Sequence, residues 1–124
     1  MMQHRFDELE GRLRTFVTQR DWDQFHSPKN MAICLSVEAS ELLTLYTWTE
    51  SDERQGAPGT EAPSKEAVAD EAADVFLSLL SFCRSAGVDL LDASHRKLSK
   101  LSEKYPVDLA KGSAIKDPTR TGSK

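Results

Sequence analysis

The chain has 124 residues, a formal net charge of −4, 39% apolar and 29% charged residues, a balance that fits one soluble globular domain able to bury about two-thirds of its unfolded surface. The acidic balance and the lack of a long basic run argue against a partner that is a nucleic acid polymer. No apolar run approaches the roughly 18 residues of a membrane span. The opening Met1-Met2-Gln3-His4-Arg5 leads into a charged amphipathic segment, so no signal peptide is expected and the cytoplasm is the expected compartment. Cys34 and Cys83 both fall in apolar segments and read as small buried hydrophobes of a reducing compartment.

Four helices are predicted, with no period-2 alternation and no hairpin dipeptide, so the fold class is all-α. The first covers about residues 5–20, where Phe6, Leu9, Leu13 and Phe16 form one apolar stripe. The second starts at Ser27-Pro28, an N-cap followed by proline at the first helical position, and runs to about Thr49. Ser51 to Pro63, rich in Gly, Pro, Ser and acidic residues, reads as a loop. Ser64 caps the third helix, which reaches about Ser85 and stops before Gly87. The fourth runs from an N-cap at Asp89 to about Lys104, where Tyr105-Pro106 ends it. Residues 1–112 are expected to form the domain and 113–124 a flexible tail.

Two acidic pairs stand out. Glu38-Ala-Ser-Glu41 and Glu71-Ala-Ala-Asp74 each have i,i+3 spacing inside segments that otherwise read as buried helix. At about 100° per residue, Glu38 falls in the middle of the stripe formed by Met31, Leu35, Leu42, Leu45 and Tyr46, with Glu41 at its edge. Glu71, Asp74 and Ser78 form one narrow polar strip on a helix that is apolar almost all round, from Val75 to Cys83. One acidic pair on a helix is usually surface decoration. Two pairs on core stripes call for a cation, because an ionised carboxylate is costly to bury and no Lys or Arg sits within either motif. All-oxygen donors favour Mg²⁺, with Mn²⁺ as the alternative. The absence of Glu-x-x-His disfavours a di-iron site, and isolated cysteines disfavour zinc. A hard ion with open water positions suits phosphate chemistry.

Trp22, Phe25 and Trp48 form either a stacking slot for a nucleobase or a cap on the bundle. His26 is a candidate contact to base or phosphate, although a lone histidine is more often structural. Lys97 is a candidate phosphate contact, whereas Lys100 and Lys104 read as a solvated face. Asn30, in the first turn of the second helix, is within reach of a ligand bound there.

The run Arg20-Asp-Trp-Asp-Gln-Phe-His26, then Pro28-Lys-Asn30, the two acidic pairs, Trp48 and Lys97…Lys104-Tyr-Pro106 resemble the MazG-like all-α nucleoside triphosphate pyrophosphohydrolases, and among these the dCTP pyrophosphatase branch. The resemblance spans about residues 5–112. It implies a four-helix bundle completed by oligomerisation into a homodimer or homotetramer. It also implies Mg²⁺-dependent cleavage of a nucleoside triphosphate, dCTP-like or modified, to the monophosphate and pyrophosphate, as in cleansing of the nucleotide pool. By the resemblance Glu38, Glu41, Glu71 and Asp74 hold the metal, and Glu38 or Glu41 handles the attacking water. Trp22, His26 and Trp48 line the nucleoside pocket, with Asn30 and Lys97 near the ligand. The chain departs from the branch at Ser78, where relatives often carry Tyr, and at Leu101, where they often carry Asn. Both changes bear on base and sugar preference, not on the metal ligands. A non-catalytic nucleotide- or metal-binding module is the alternative, and the intact quartet favours the enzyme.

Overall fold

The computed structural model describes residues 2–47 and 62–113. Every element among them is helical: α1 (Met2–Gln19), a 3₁₀ turn (Asp23–Phe25), α2 (Pro28–Thr44), α3 (Lys65–Ala86), α4 (Leu90–Lys104) and the single-turn α5 (Val107–Ala110). The fold is all-α, as the sequence implies. No helix among the described residues is long and apolar enough to cross a membrane.

The helix starts are built from local side-chain chemistry. Ser27 accepts from the Asn30 amide at 3.1 Å with Pro28 at the first helical position, Ser64 accepts from the Ala67 amide at 3.1 Å, and Asp89 accepts from the Asp92 amide at 3.0 Å. Each satisfies one donor that a helix start leaves without a partner. Gly87 ends α3 at φ 70°, a left-handed conformation that a side chain would penalise.

Boundaries differ from expectation at α2, which stops at Thr44 rather than near Thr49. There Thr44 Oγ1 donates to the Ser40 carbonyl and Thr47 Oγ1 to the Leu43 carbonyl, an alternative to the helical ladder that these hydroxyls offer the backbone. The 3₁₀ turn and α5 are too short to leave a periodic signal. Most of the expected 51–63 loop, and nearly all of the expected tail, lie outside the described residues.

Residues up to Val88 form one compact unit and those from Asp89 another. In the first, α2 and α3 make the dominant helix–helix contact. They run antiparallel: His26, just before α2, touches Ser85 at the end of α3, while Glu38 further along α2 meets Glu71 in the first half of α3. The core holds Val17 at 3% exposure and Leu80 at 2%, with Met31 and Cys83 also buried. Helix α1 joins through an edge-to-face contact of Phe6 with Phe76, centroids 6.3 Å apart.

Two expectations about packing are corrected. The apolar stripe of α1 continues from Leu13 to Val17 at i+4, while Phe16 lies exposed beside it, covered by the Arg20 guanidinium at 3.7 Å and by Trp22. Cys34 is exposed, although it lies between Met31 and Glu38 on α2; Cys83 alone of the two cysteines is buried, and burial, with Glu10 nearby, pushes its thiol pKa up. In the second unit, α4 carries an Asp92–Arg96 ion pair at 3.0 Å one turn apart, and Lys104 lies over the Tyr105 ring.

Leu80 touches the centre of this small core. Leu80→Ala is expected to lower unfolding stability by about 2–5 kcal/mol, measured by urea denaturation monitored by circular dichroism.

Candidate metal centre

Glu38 is carried on the face of α2 that meets α3, and Glu71 and Asp74 lie one turn apart on α3. One oxygen from each lies within 4.8 Å of the others. Glu38 and Glu71 are half-buried and Asp74 is exposed. Glu38 Oε1 and Glu71 Oε2 are enclosed and have no hydrogen-bond partner. The ion pairs among the described residues, Arg84–Asp23 and Arg96–Asp92, lie elsewhere.

The electrostatic consequence is explicit at Glu38. Its pKa is raised above the ordinary 4.5, first because its protonated form can donate to Glu71, then by burial and by the charges of Asp74 and Glu71. Glu41, exposed and one turn further along α2, bears on Glu38 in the opposite sense, lowering its pKa. Two orphaned carboxylate oxygens and a donor set made only of oxygen fit a hard divalent cation.

Of the residues singled out from the sequence, the structure brings Glu38, Glu71 and Asp74 to one point. Glu41 stands beside that point rather than within it. Ser78 follows Asp74 by one turn on α3 and is half-buried. Trp22 is exposed and packs edge-to-face on Phe16, with ring centroids 5.7 Å apart. Asn30 Nδ2 donates to the Phe25 carbonyl at 2.9 Å, so its side chain fastens the 3₁₀ turn to the start of α2. His26 is half-buried and lines a cavity of about 160 Å³ with Glu10, Arg14, Leu80, Ser81 and Arg84. None of the four acidic-pair carboxylates lines that cavity. Lys97 is exposed on α4, in the second unit. Trp48 lies outside the described residues.

Three side chains that sequence reasoning passed over fasten the segment bearing Trp22 and His26. Asp23 is ion-paired to Arg84 at 3.2 Å, and Ser85 Oγ donates to the His26 carbonyl across 59 residues of chain. Contacts this distant leave no local pattern. The only early signal is the acidic residue at position 23, next to a tryptophan.

An antiparallel helix pair with carboxylates from both helices meeting at one point defines a helical acidic-cluster protein. The MazG-like family model matches residues 33–116. The chain is 36% identical over 101 residues to dCTP pyrophosphatase 1 of Rattus norvegicus and 38% identical over 104 residues to that of Mus musculus. It is 34% identical over 101 residues to that of Homo sapiens. Each alignment covers 82% of this chain but 59% of the relative, so the chain spans about three-fifths of the length of these curated relatives. Among solved structures it matches a pyrophosphatase from Archaeoglobus fulgidus with a TM-score of 0.70 and 36% identity, covering 83% of this chain and 94% of that one. The chain belongs to the MazG-like family, and within it is similar to the dCTP pyrophosphatases.

Glu38 fixes the sign of a pH effect. A raised carboxyl pKa means the folded state holds the proton more tightly than the unfolded chain does, so the associated stability is complete below the ordinary 4.5 and is lost as pH rises through the raised value. In chelator, Glu38→Gln should therefore gain melting temperature over the wild type as pH is taken from about 4 to neutrality, measured by scanning fluorimetry. A difference between the two proteins that stays constant over that range would show that the carboxylates do not crowd one another.

Proposed function

We propose that this chain is a divalent-cation-dependent nucleoside triphosphate pyrophosphohydrolase, splitting its substrate between the α- and β-phosphates to give the monophosphate and pyrophosphate. The carrying observation is the convergence of Glu38, Glu71 and Asp74 with two orphaned oxygens, in a chain 34–38% identical to dCTP pyrophosphatase 1. The proposed substrate is dCTP or a modified deoxynucleoside triphosphate, and the proposed role is clearance of unwanted nucleotides from the pool.

Glu38, Glu71 and Asp74, with Glu41 one turn away, would hold Mg²⁺, or Mn²⁺ in its place. Such an ion, when bound, neutralises phosphate oxygens and acidifies a coordinated water. The chain's own contribution is to hold those carboxylates on two packed helices, so that little reorganisation accompanies binding. Glu38 or Glu41 would orient the attacking water and accept its proton, and Glu41, exposed beside the cluster, has room for that water. Trp22, His26 and Trp48 would line the nucleoside pocket. Trp22 offers an exposed ring face, and stacking of a base on such a face contributes roughly 1–3 kcal/mol. Ser78 would face the base and sugar, and Asn30 and Lys97 would lie near the ligand.

A homodimer or homotetramer is the proposed assembly. Ile33, Val37 and Leu43 on α2 are exposed, Leu43 at 69%, and a second copy would cover them. The cytoplasm is the proposed compartment, in keeping with two free thiols. Neither a nucleic acid polymer nor a membrane is a proposed partner.

Incubation of the purified protein with nucleoside and deoxynucleoside triphosphates, canonical and modified, should release pyrophosphate in Mg²⁺ and none in chelator. Glu41→Gln should lower kcat by about 100-fold or more, the range typical for loss of a positioned base or ligand. No release from any nucleotide would overturn the enzymatic reading, and an active Glu41→Gln would remove Glu41 from the machinery.

A further inference from the structure

The segment between α1 and α2 is short, irregular and held from several sides. Asp21 sits at φ 55°, the left-handed region that a non-glycine residue occupies at some cost. Gln24 Nε2 stabilises it by donating to both the Asp21 carbonyl and Asp21 Oδ2, each at 3.1 Å. The chain then turns into the Asp23–Phe25 3₁₀ element. Asp23 uses both of its carboxylate oxygens: Thr18 Oγ1 of α1 donates to Oδ2 at 3.0 Å, and the Arg84 guanidinium of α3 pairs with Oδ1 at 3.2 Å. One residue further along α3, Ser85 Oγ donates to the His26 carbonyl. At the other end Asn30 holds the Phe25 carbonyl. The segment is thus fastened to α1, α2 and α3, and the two fasteners on α3 sit on the helix that carries Glu71 and Asp74.

Trp22 and His26 occupy the two flanks of this fastened turn. The Trp22 ring rests edge-to-face on Phe16 yet stays 45% exposed, and His26, half-buried, is gripped by its carbonyl. A segment pinned through its backbone and through Asp23 holds its partly open aromatic side chains at a fixed place. We propose that Asp23 and Arg84 are positioning residues. Their ion pair, backed by Thr18 and Ser85, fixes the Trp22–His26 segment against α3 and so sets affinity for the nucleoside half of the substrate, without touching the bond that breaks. The inference rests on the reading above that Trp22 and His26 line the nucleoside pocket.

The Asp23 and Arg84 side chains are each partly open to water, 46% and 39% exposed. The effect is accordingly modest: surface-accessible pairs change equilibria by about twofold to fivefold. Because a single guanidinium nitrogen makes the contact, an ammonium group can replace it, whereas a bidentate pair would not tolerate the exchange.

Two measurements on the full chain test this. In a Trp48→Phe background, Trp22 is the sole tryptophan, and its fluorescence anisotropy reports motion of the segment whether or not the protein turns over any nucleotide. Arg84→Gln should lower that anisotropy and Arg84→Lys should restore it; no change in Arg84→Gln overturns the inference. In the kinetic arm, Arg84→Gln and Asp23→Asn should raise KM for the best nucleotide by about twofold to fivefold with kcat held within about twofold. Inhibition by inorganic tripolyphosphate, which has no nucleoside, should be unaltered. A fall in kcat, or an equal weakening of tripolyphosphate, overturns the inference. If His26→Ala and Trp22→Ala leave KM unchanged, the nucleoside-pocket reading fails instead; if they raise KM and Arg84→Gln does not, the positioning role alone fails.

Discussion

Glu38 on α2 and Glu71 on α3 project into one space, and each keeps an enclosed oxygen there with no donor to satisfy it. Between two helices already packed by apolar side chains, a proton or a cation would relieve that arrangement. A proton shared between the carboxyls converts one of them into a donor, which is why Glu38 titrates upward. A divalent cation satisfies both oxygens and Asp74 together. Repacking away from the problem is blocked, because the same two helices carry Met31, Leu80 and Cys83, three of the four buried apolar residues among those described. The repulsion is therefore held in place by the hydrophobic contact.

Among the described residues only four apolar side chains are buried. They are concentrated where α2 and α3 meet, with Val17 of α1 closing one side. Stability is thus concentrated at the contact that has to keep three carboxylates within 4.8 Å of one another. Elsewhere the helices leave large apolar groups open, as at Ile33, Val37 and Leu43.

Much of this was legible in the residues themselves. Ser27-Pro28, Ser64, Asp89 and Gly87 marked helix ends because capping is a local interaction between neighbours in sequence. Glu38 stood out because a carboxylate in the middle of an apolar stripe contradicts the pattern around it. What was not legible depended on contacts between distant residues or on phase drift. Phase drift decided Phe16 against Val17: an i+3 or i+4 step from Leu13 is equally apolar, and only tertiary packing selects the second. Cys34 reads as buried because its neighbours are apolar, yet on α2 it is exposed. Arg84 and Ser85 carried no signal at all, since each acts on a residue near the start of the chain.

The shape of α3 joins these observations. Glu71, Asp74, Ser78, Ser81 and Ser85 fall at successive steps of three or four residues, so they share one face of a continuous helix. Asp74 and Ser85 are separated by eleven residues, about 16 Å of helix axis at the usual rise. The acidic cluster draws on one end of that face and the Trp22–His26 segment is fastened at the other. An unbroken helix does not shorten, so the separation between the acidic cluster and the fastened Trp22–His26 segment is set by α3 and not by any loop. Exchange of a proton for a metal at Glu38 and Glu71 can then alter charge at one end without displacing the other.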